Sequence, residues 1–296
     1  MRPAYQVFSV GWALCMGLAC SEDPPERPPA LSDCNETNCT DLRRGNTTVS
    51  VGSLVPAEGG GGAAGSTGMP PAVTTLAGNV RMIVEPDLVA VDPPNAPVEV
   101  RAAAGDSGTE VVTTPAADGS FSLAGVLSET AGWAAVGAFT DPPTEPFMDT
   151  LQGVDTAAGD AVTLLVMRRS VVEEIALTSF FTTPLELDPT RGHAILTFVD
   201  ELGNPLPGVR LTFPSPADVG IAYDSGDIYS DAEIETSVRG TVVLLNLAAA
   251  AYPGSLSSVV AELTTLPDRQ FRPGFRIAAA SVTVLTVEID LSTASP

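Results

Sequence analysis

The residue types that most often do chemistry are scarce in this chain, which has one histidine and four cysteines in 296 residues. His193 opens an apolar run and is followed by Ala194-Ile195-Leu196, with no acid or nucleophile motif beside it. An isolated imidazole of this kind reads as structural, because general-base work needs a substrate proton and an orienting partner within hydrogen-bond reach. No Gly-x-Ser-x-Gly elbow and no phosphate-binding Gly-Lys motif occurs. The densest acidic run sets Asp224, Asp227, Asp231 and Glu233 close together, with Gly226 among them and Glu235 just beyond. Oxygen ligands so spaced are candidates for Ca²⁺, although the pattern is not that of an EF-hand loop. The same residues also read as an exposed, solvated acidic loop. Tyr223 and Tyr229 flank the run, and aromatic residues beside acids suit sugar binding at the end of a β-sandwich.

The cysteines point to a cellular address. Met1-Arg2 gives a short positive start, and Ala4 to Leu18 is mostly apolar, the length of a signal-peptide core and too short to span a bilayer. It closes on Gly17-Leu18-Ala19-Cys20. These four residues resemble the lipobox of bacterial lipoproteins, departing from it at Gly17, where a large apolar residue is usual. The resemblance implies cleavage after residue 19, acylation of Cys20 with a chain such as palmitate, and a membrane partner reached through that anchor. Ser21 after the cysteine implies sorting to the outer membrane. The other address is that of a secreted or periplasmic protein.

Residues 20–75 read as a disordered tether. Ser21-Glu-Asp-Pro-Pro-Glu-Arg-Pro-Pro29 favours extended polyproline conformation and Gly59 to Gly65 favours flexible coil. Too few large apolar side chains are present to offset the entropy of ordering them. Cys34 and Cys39 enclose four residues. In an oxidising compartment they are candidates for a small disulfide loop, the more so because Cys15 leaves with the leader and Cys20 takes the lipid. A metal pair is the rival reading, which lacks the further ligands of a closed zinc site. Asn35, Asn38 and Asn46 each begin an Asn-x-Ser/Thr triplet, incidental behind a lipobox-like leader.

The elements around these residues are strands. Aromatic residues make up only 5% of a chain rich in Val, Ala, Thr, Gly and Pro, and no long 3.6-residue periodicity competes with period two. The formal charge is -22, from 36 acids against 14 bases, which excludes nucleic-acid phosphate as a partner and favours solubility. Gly192 to Phe213 organises the chain: an apolar strand, a turn holding Asn204, Pro205, Pro207 and Gly208, and a second strand in which Val209, Leu211 and Phe213 alternate with Arg210 and Thr212. This predicts a hairpin. A weaker copy lies about a hundred residues earlier, with strands at Gly78–Val84, Pro97–Ala102, Trp133–Phe139 and Ala161–Met167, and an Asp118-Gly119 turn before Phe121 and Leu123.

Two stretches, Asp200-Glu-Leu-Gly203-Asn-Pro205-Leu-Pro-Gly208-Val209 and Thr113-Thr114…Asp118-Gly119-Ser-Phe121-Ser-Leu123, resemble the carboxypeptidase regulatory-like domain, a transthyretin-like β-sandwich. Thr236 and Gly240 stand for the Thr…Gly step in the second copy. The resemblance implies an all-β protein of two tandem transthyretin-like (Ig-like) sandwiches, at 76–169 and 188–291. Residues 1–19 precede them as signal peptide and 20–75 as tether, 170–187 join them, and 292–296 form a tail. The connector, with Val171, Val172, Ile175, Leu177, Phe180 and Phe181, is too apolar for a free linker and is expected to have some strand content. Enzymes of related architecture are not matched. Zinc carboxypeptidases need several histidines, intradiol dioxygenases hold iron with two His and two Tyr, and hydroxyisourate hydrolases end in Tyr-Arg-Gly-Ser, whereas this chain ends Ser-Thr-Ala-Ser-Pro. The expectation is a non-enzymatic envelope lipoprotein without cofactor that binds a polysaccharide or envelope protein, with a structural spacer or accessory subunit as the alternative.

Overall fold

The computed structural model describes residues 48–50, 72–104, 109–129, 132–139, 146–180, 184–212, 219–226, 228–249, 255–289 and 291. The leader, Cys20, Cys34, Cys39, Phe213, Asp227 and the tail lie outside them. Among the described residues no helix is long and apolar enough to cross a membrane.

Strands account for most of the described chain. One three-residue strand, β1 (Thr48–Ser50), falls inside the stretch expected as tether, and β2 (Val73–Ile83) starts at its far end. The first half continues with β3 (Glu99–Ala103), β4 (Glu110–Thr113), β5 (Ser120–Leu127), β6 (Gly132–Gly137), β7 (Phe147–Val154) and β8 (Val162–Arg168). Asp118-Gly119 makes the expected turn: Gly119 has φ 84°, and the Asp118 carboxylate accepts Ser120 N–H at 2.9 Å. Phe121 and Leu123 then share the buried face of β5.

The second half holds β9 (Gly192–Val199), β10 (Val209–Thr212), β11 (Gly220–Asp224), β12 (Tyr229–Ser230), β13 (Thr241–Leu247), β14 (Ser255–Ser258), β15 (Val260–Leu263), β16 (Leu266–Phe271), β17 (Gly274–Ile277) and β18 (Ser281–Glu288).

A mixed sheet runs β12-β11-β13-β9-β18-β7-β6-β3-β4. β18 lies between the halves, parallel to β9 over residues 282–288 and parallel to β7 over 281–284. Where β7 leaves it, β1 pairs in parallel with Thr286–Glu288. β5, β2 and β8 form a second layer over the first half, joined to β7 at Phe147 and Met148. Two small sheets, β10-β15-β16 and β14-β17, cover one face of the second half.

Three cores follow from strand alternation. Val80, Val100, Phe121, Val136, Leu164 and Val166 fill the first half. Leu196, Phe198, Val209, Leu211, Phe275 and Val287 fill the second. The third is shared: Leu165 and Met167 of β8 meet Ile195, Val243, Val282 and Val284 of the second half. β9 and β13 are therefore buried on both faces, and this explains their unbroken apolar runs.

Two expectations are corrected. β9 and β10 do not form a hairpin: β10 pairs antiparallel with β15 in the covering sheet, and only an isolated Val199–Pro205 bridge links the turn back to β9. Pro205 and Pro207 have no N–H to donate to a ladder, so the chain steps across the core to the other sheet. The apolar stretch after β8 is not strand but helix α1 (Arg169–Ser179). Val171, Val172, Ile175, Ala176 and Ser179 recur at helical spacing and are its buried residues, seated on the shared core.

Polar side chains replace ladder bonds where β7 and β8 separate. Met167 N–H donates to Thr150 Oγ1 at 3.0 Å, Leu165 N–H donates to Gln152 Oε1 at 2.8 Å, and Gln152 Nε2 donates to the Leu165 carbonyl at 2.8 Å. Thr150 and Gln152 are fully buried, so these bonds satisfy backbone groups that water cannot reach.

Candidate functional site

The acidic run singled out in the sequence sits at one end of the mixed sheet. β9 and β18 finish there, β13 begins there, and β11 turns into β12, since β11 and β9 are both antiparallel to β13. Segments 200–206 and 231–240 project beyond the strands, as do Ser225, Gly226 and Ile228 of the β11–β12 turn.

Asp224 ties them down. It is the last residue of β11 and has no solvent exposure. Its Oδ1 accepts N–H groups from Ser237 at 3.0 Å and Thr241 at 2.9 Å, and its Oδ2 accepts that of Arg239 at 2.9 Å. A buried carboxylate is tolerated here because three backbone donors replace its hydration. Thr236 extends the knot: its hydroxyl donates to the Leu206 carbonyl at 2.7 Å and accepts Val209 N–H at 3.0 Å. Gly240 has φ 64°, and a Cβ added there would stand 2.5 Å from the Phe198 carbonyl oxygen, so the Thr…Gly step requires glycine. The turn at 200–204 is closed by Asp200, whose carboxylate accepts the amides of Leu202 and Asn204 at 2.9 and 2.8 Å.

The structure thus separates residues that the sequence groups together. Asp224 is a buried staple rather than part of a solvated loop, half-buried Asp231 and exposed Glu233 lie beyond the β11–β12 turn, and Asp227 is outside the described residues. Among the described residues no three His, Cys, Asp or Glu side chains gather to hold a metal ion. The flanking tyrosines are both buried. Tyr223 is buried and its hydroxyl accepts Leu211 N–H at 3.0 Å across the core, while Tyr229 is buried in the shared core, where burial raises its pKa. Asp224→Asn should lower stability by about 2 kcal/mol, because an amide NH₂ then opposes one of the three N–H donors. Denaturant midpoints measured with and without added Ca²⁺ check this; a staple loses the same stability in both.

Beside its acids, this end of the sheet exposes large apolar side chains. Leu202 is 86% exposed, Ile234 and Val238 60% each, and Ile228 51%. These are four of the eight large hydrophobic side chains that stand exposed among the described residues. Composition alone hides this, because Leu202, Ile234 and Val238 read as ordinary members of a turn-rich stretch.

The opposite end of the sheet holds the histidine. His193 is 2% exposed, and its Nδ1 accepts Asn246 N–H at 3.2 Å. Asn246 has φ 60° within the irregularity between Leu244 and Leu247. Its side chain binds Asp188 N–H and the Glu186 carbonyl, each at 2.9 Å. Burial, with the Arg169 guanidinium second, pushes His193 down to about 4, and Asp188 opposes the shift. A neutral native imidazole means that the unfolded chain binds the extra proton between pH 6.5 and 4. Stability therefore rises with pH through that window, and the drop from pH 7 to pH 5 should cost about 2 kcal/mol from this residue. Urea midpoints across the window test this, and His193→Gln should flatten the slope. Near the same end Phe139 N–H donates to Asp149 at 3.0 Å, and the Arg101 guanidinium lies 3.9 Å from the Phe139 ring centroid. Burial raises the Asp149 pKa, while Phe139 N–H, Arg101 and Arg169 oppose it.

No protein-family model matches this chain, and no curated protein matches it. Two solved structures share a distant likeness. The Bacillus anthracis TIE protein is 12% identical over 73% of this chain and 34% of its own, with a TM-score of 0.21. A streptococcal ancillary pilin is 9% identical over 73% of this chain and 69% of its own, with a TM-score of 0.20. This chain therefore spans about a third of the TIE protein. These likenesses assign no family to this chain.

Proposed function

We propose that this chain is a non-enzymatic lipoprotein of the cell envelope. Acylated Cys20 anchors it in the outer membrane, the stretch after it sets the distance, and transthyretin-like β-sandwich modules bind a polysaccharide or protein partner. The observation that carries this reading is the use made of its reactive side chains. His193, Asp224 and Gln152 are all buried and bonded to backbone groups, whereas the pinned loops present apolar surface to solvent. Such an arrangement suits recognition by contact rather than proton transfer. The spacer reading has its own support in β18, which binds both halves into one sheet and would stiffen a strut.

Photo-crosslinking from position 234 in intact cells separates the two. A binding module gives a discrete adduct there that is lost when Leu202 and Val238 are replaced by serine, and a strut gives none. The anchor has an independent test. Cys20→Ser should move the protein from the detergent-rich to the aqueous phase, since loss of the acyl chains removes the membrane affinity they supply. Unchanged partition would remove the lipoprotein reading.

A further inference from the structure

We infer that the loop end formed by 200–206 and 231–240, together with Ile228 of the β11–β12 turn, is a docking surface for a basic polypeptide segment that also carries apolar side chains. This rests on the binding-module reading and names the partner class. Leu202, Ile228, Ile234 and Val238 supply contact area on three different loops. Loops 200–206 and 231–240 are held by Asp224, by Thr236 and by the Asp200 turn, and the Ile228 carbonyl accepts Ser225 N–H at 2.8 Å, so little conformational freedom is lost when something covers them. Scattered exposed apolar residues are ordinary; four of the eight exposed ones standing on loops at one end of the sheet are an arrangement suited to protein contact.

Charge selects the occupant. The same loops carry Asp200, Glu201, Asp231, Glu233 and Glu235 against Arg239, and the one base next to them on β10, Arg210, is already 3.7 Å from Glu235. A second copy of the chain, itself at -22, would meet repulsion at this face. Acidic polysaccharide meets the same repulsion, and a neutral one would leave the aliphatic side chains poorly used. A segment with Lys or Arg interleaved with Leu, Ile or Val satisfies both the acidic rim and the apolar centre.

Four probes test this on the full chain by fluorescence anisotropy: an alternating Lys-Leu peptide, a Lys-Ser peptide of equal charge, a Glu-Leu peptide and a neutral glucan oligosaccharide. The Lys-Leu peptide should bind at least tenfold more tightly than the other three and weaken several-fold between 20 and 300 mM salt. The triple variant Leu202→Ser, Ile234→Ser, Val238→Ser leaves every charge in place and should weaken it at least tenfold. Hydrogen exchange should show peptide protection at 200–206 and 231–240, and an unchanged melting curve of the variant excludes unfolding. Equal binding of the Lys-Ser peptide, or binding untouched by the triple variant, overturns the surface as drawn. Oligosaccharide binding that survives the triple variant overturns this surface while leaving the binding-module reading standing. No binding by any probe overturns it as well, whereas the binding-module reading fails only with the cellular crosslink.

Discussion

Leu211→Asp is expected to unfold the second half of the molecule, with a loss of about 4 kcal/mol, a large part of the stability of an ordinary domain. Leu211 is buried among Val209, Phe275, Leu285 and Val287. Its N–H donates to the Tyr223 hydroxyl and its strand pairs with Ala261 of β15, so an aspartate there sets an unpaired charge among apolar side chains. Arg210→Gln, one residue away on the exposed face, should change stability by no more than about 0.5 kcal/mol, because its pairing with Glu235 at 3.7 Å is at the surface.

The extent of the damage is as informative as its size. Leu285 and Val287 of β18 line the core that Leu211 occupies, while Val282 and Val284 of the same strand line the core shared with Met167 and Val171. Losing the second half therefore strips one wall from the first. Limited proteolysis should digest the described body as a whole, with a single unfolding transition by circular dichroism. A resistant fragment near 76–169 would instead show two separately stable sandwiches.

The second large effect is expected at Gln152. Gln152→Leu keeps the volume and removes both of the bonds that satisfy Leu165, leaving a buried N–H and a buried carbonyl unpaired at about 1–3 kcal/mol each. The net loss should be about 3 kcal/mol, since the leucine recovers some burial energy. Amide exchange at Leu165 should accelerate more than at Leu164. Gln270, exposed and 2.6 Å from Glu262, provides the control; its replacement by leucine should be nearly silent. An equal loss at both positions would mean that Gln152 is not the bridge between β7 and β8.

Much of the fold is legible in residue order because strand alternation is a local property. Val209 and Leu211 are buried with Arg210 exposed between them, as period two requires. The Asp118-Gly119 turn, with Phe121 and Leu123 after it, is legible for the same reason: turn chemistry depends on two or three neighbours. The glycine demanded at 240 belongs with them in the sequence motif, although its cause, the Phe198 carbonyl, is more than forty residues away.

The tertiary structure decided what local pattern leaves open. Period two says which face of β10 is buried but not which strand it joins, and the proline-rich turn that looks like a hairpin carries it to the covering sheet. In the connector, Val171, Val172 and Ile175 fit a short strand or one side of a helix, and packing on Met167 and Ile195 selected the helix. Asp224 is one carboxylate in an acidic run until its three donors, 13 to 17 residues later, are brought to it. Gln152 likewise becomes intelligible only when β8 diverges beside it. Composition determined an acidic, strand-built chain with a single histidine. Which of its polar groups are spent on the backbone, and which apolar ones remain exposed, depends on contacts between residues far apart in sequence.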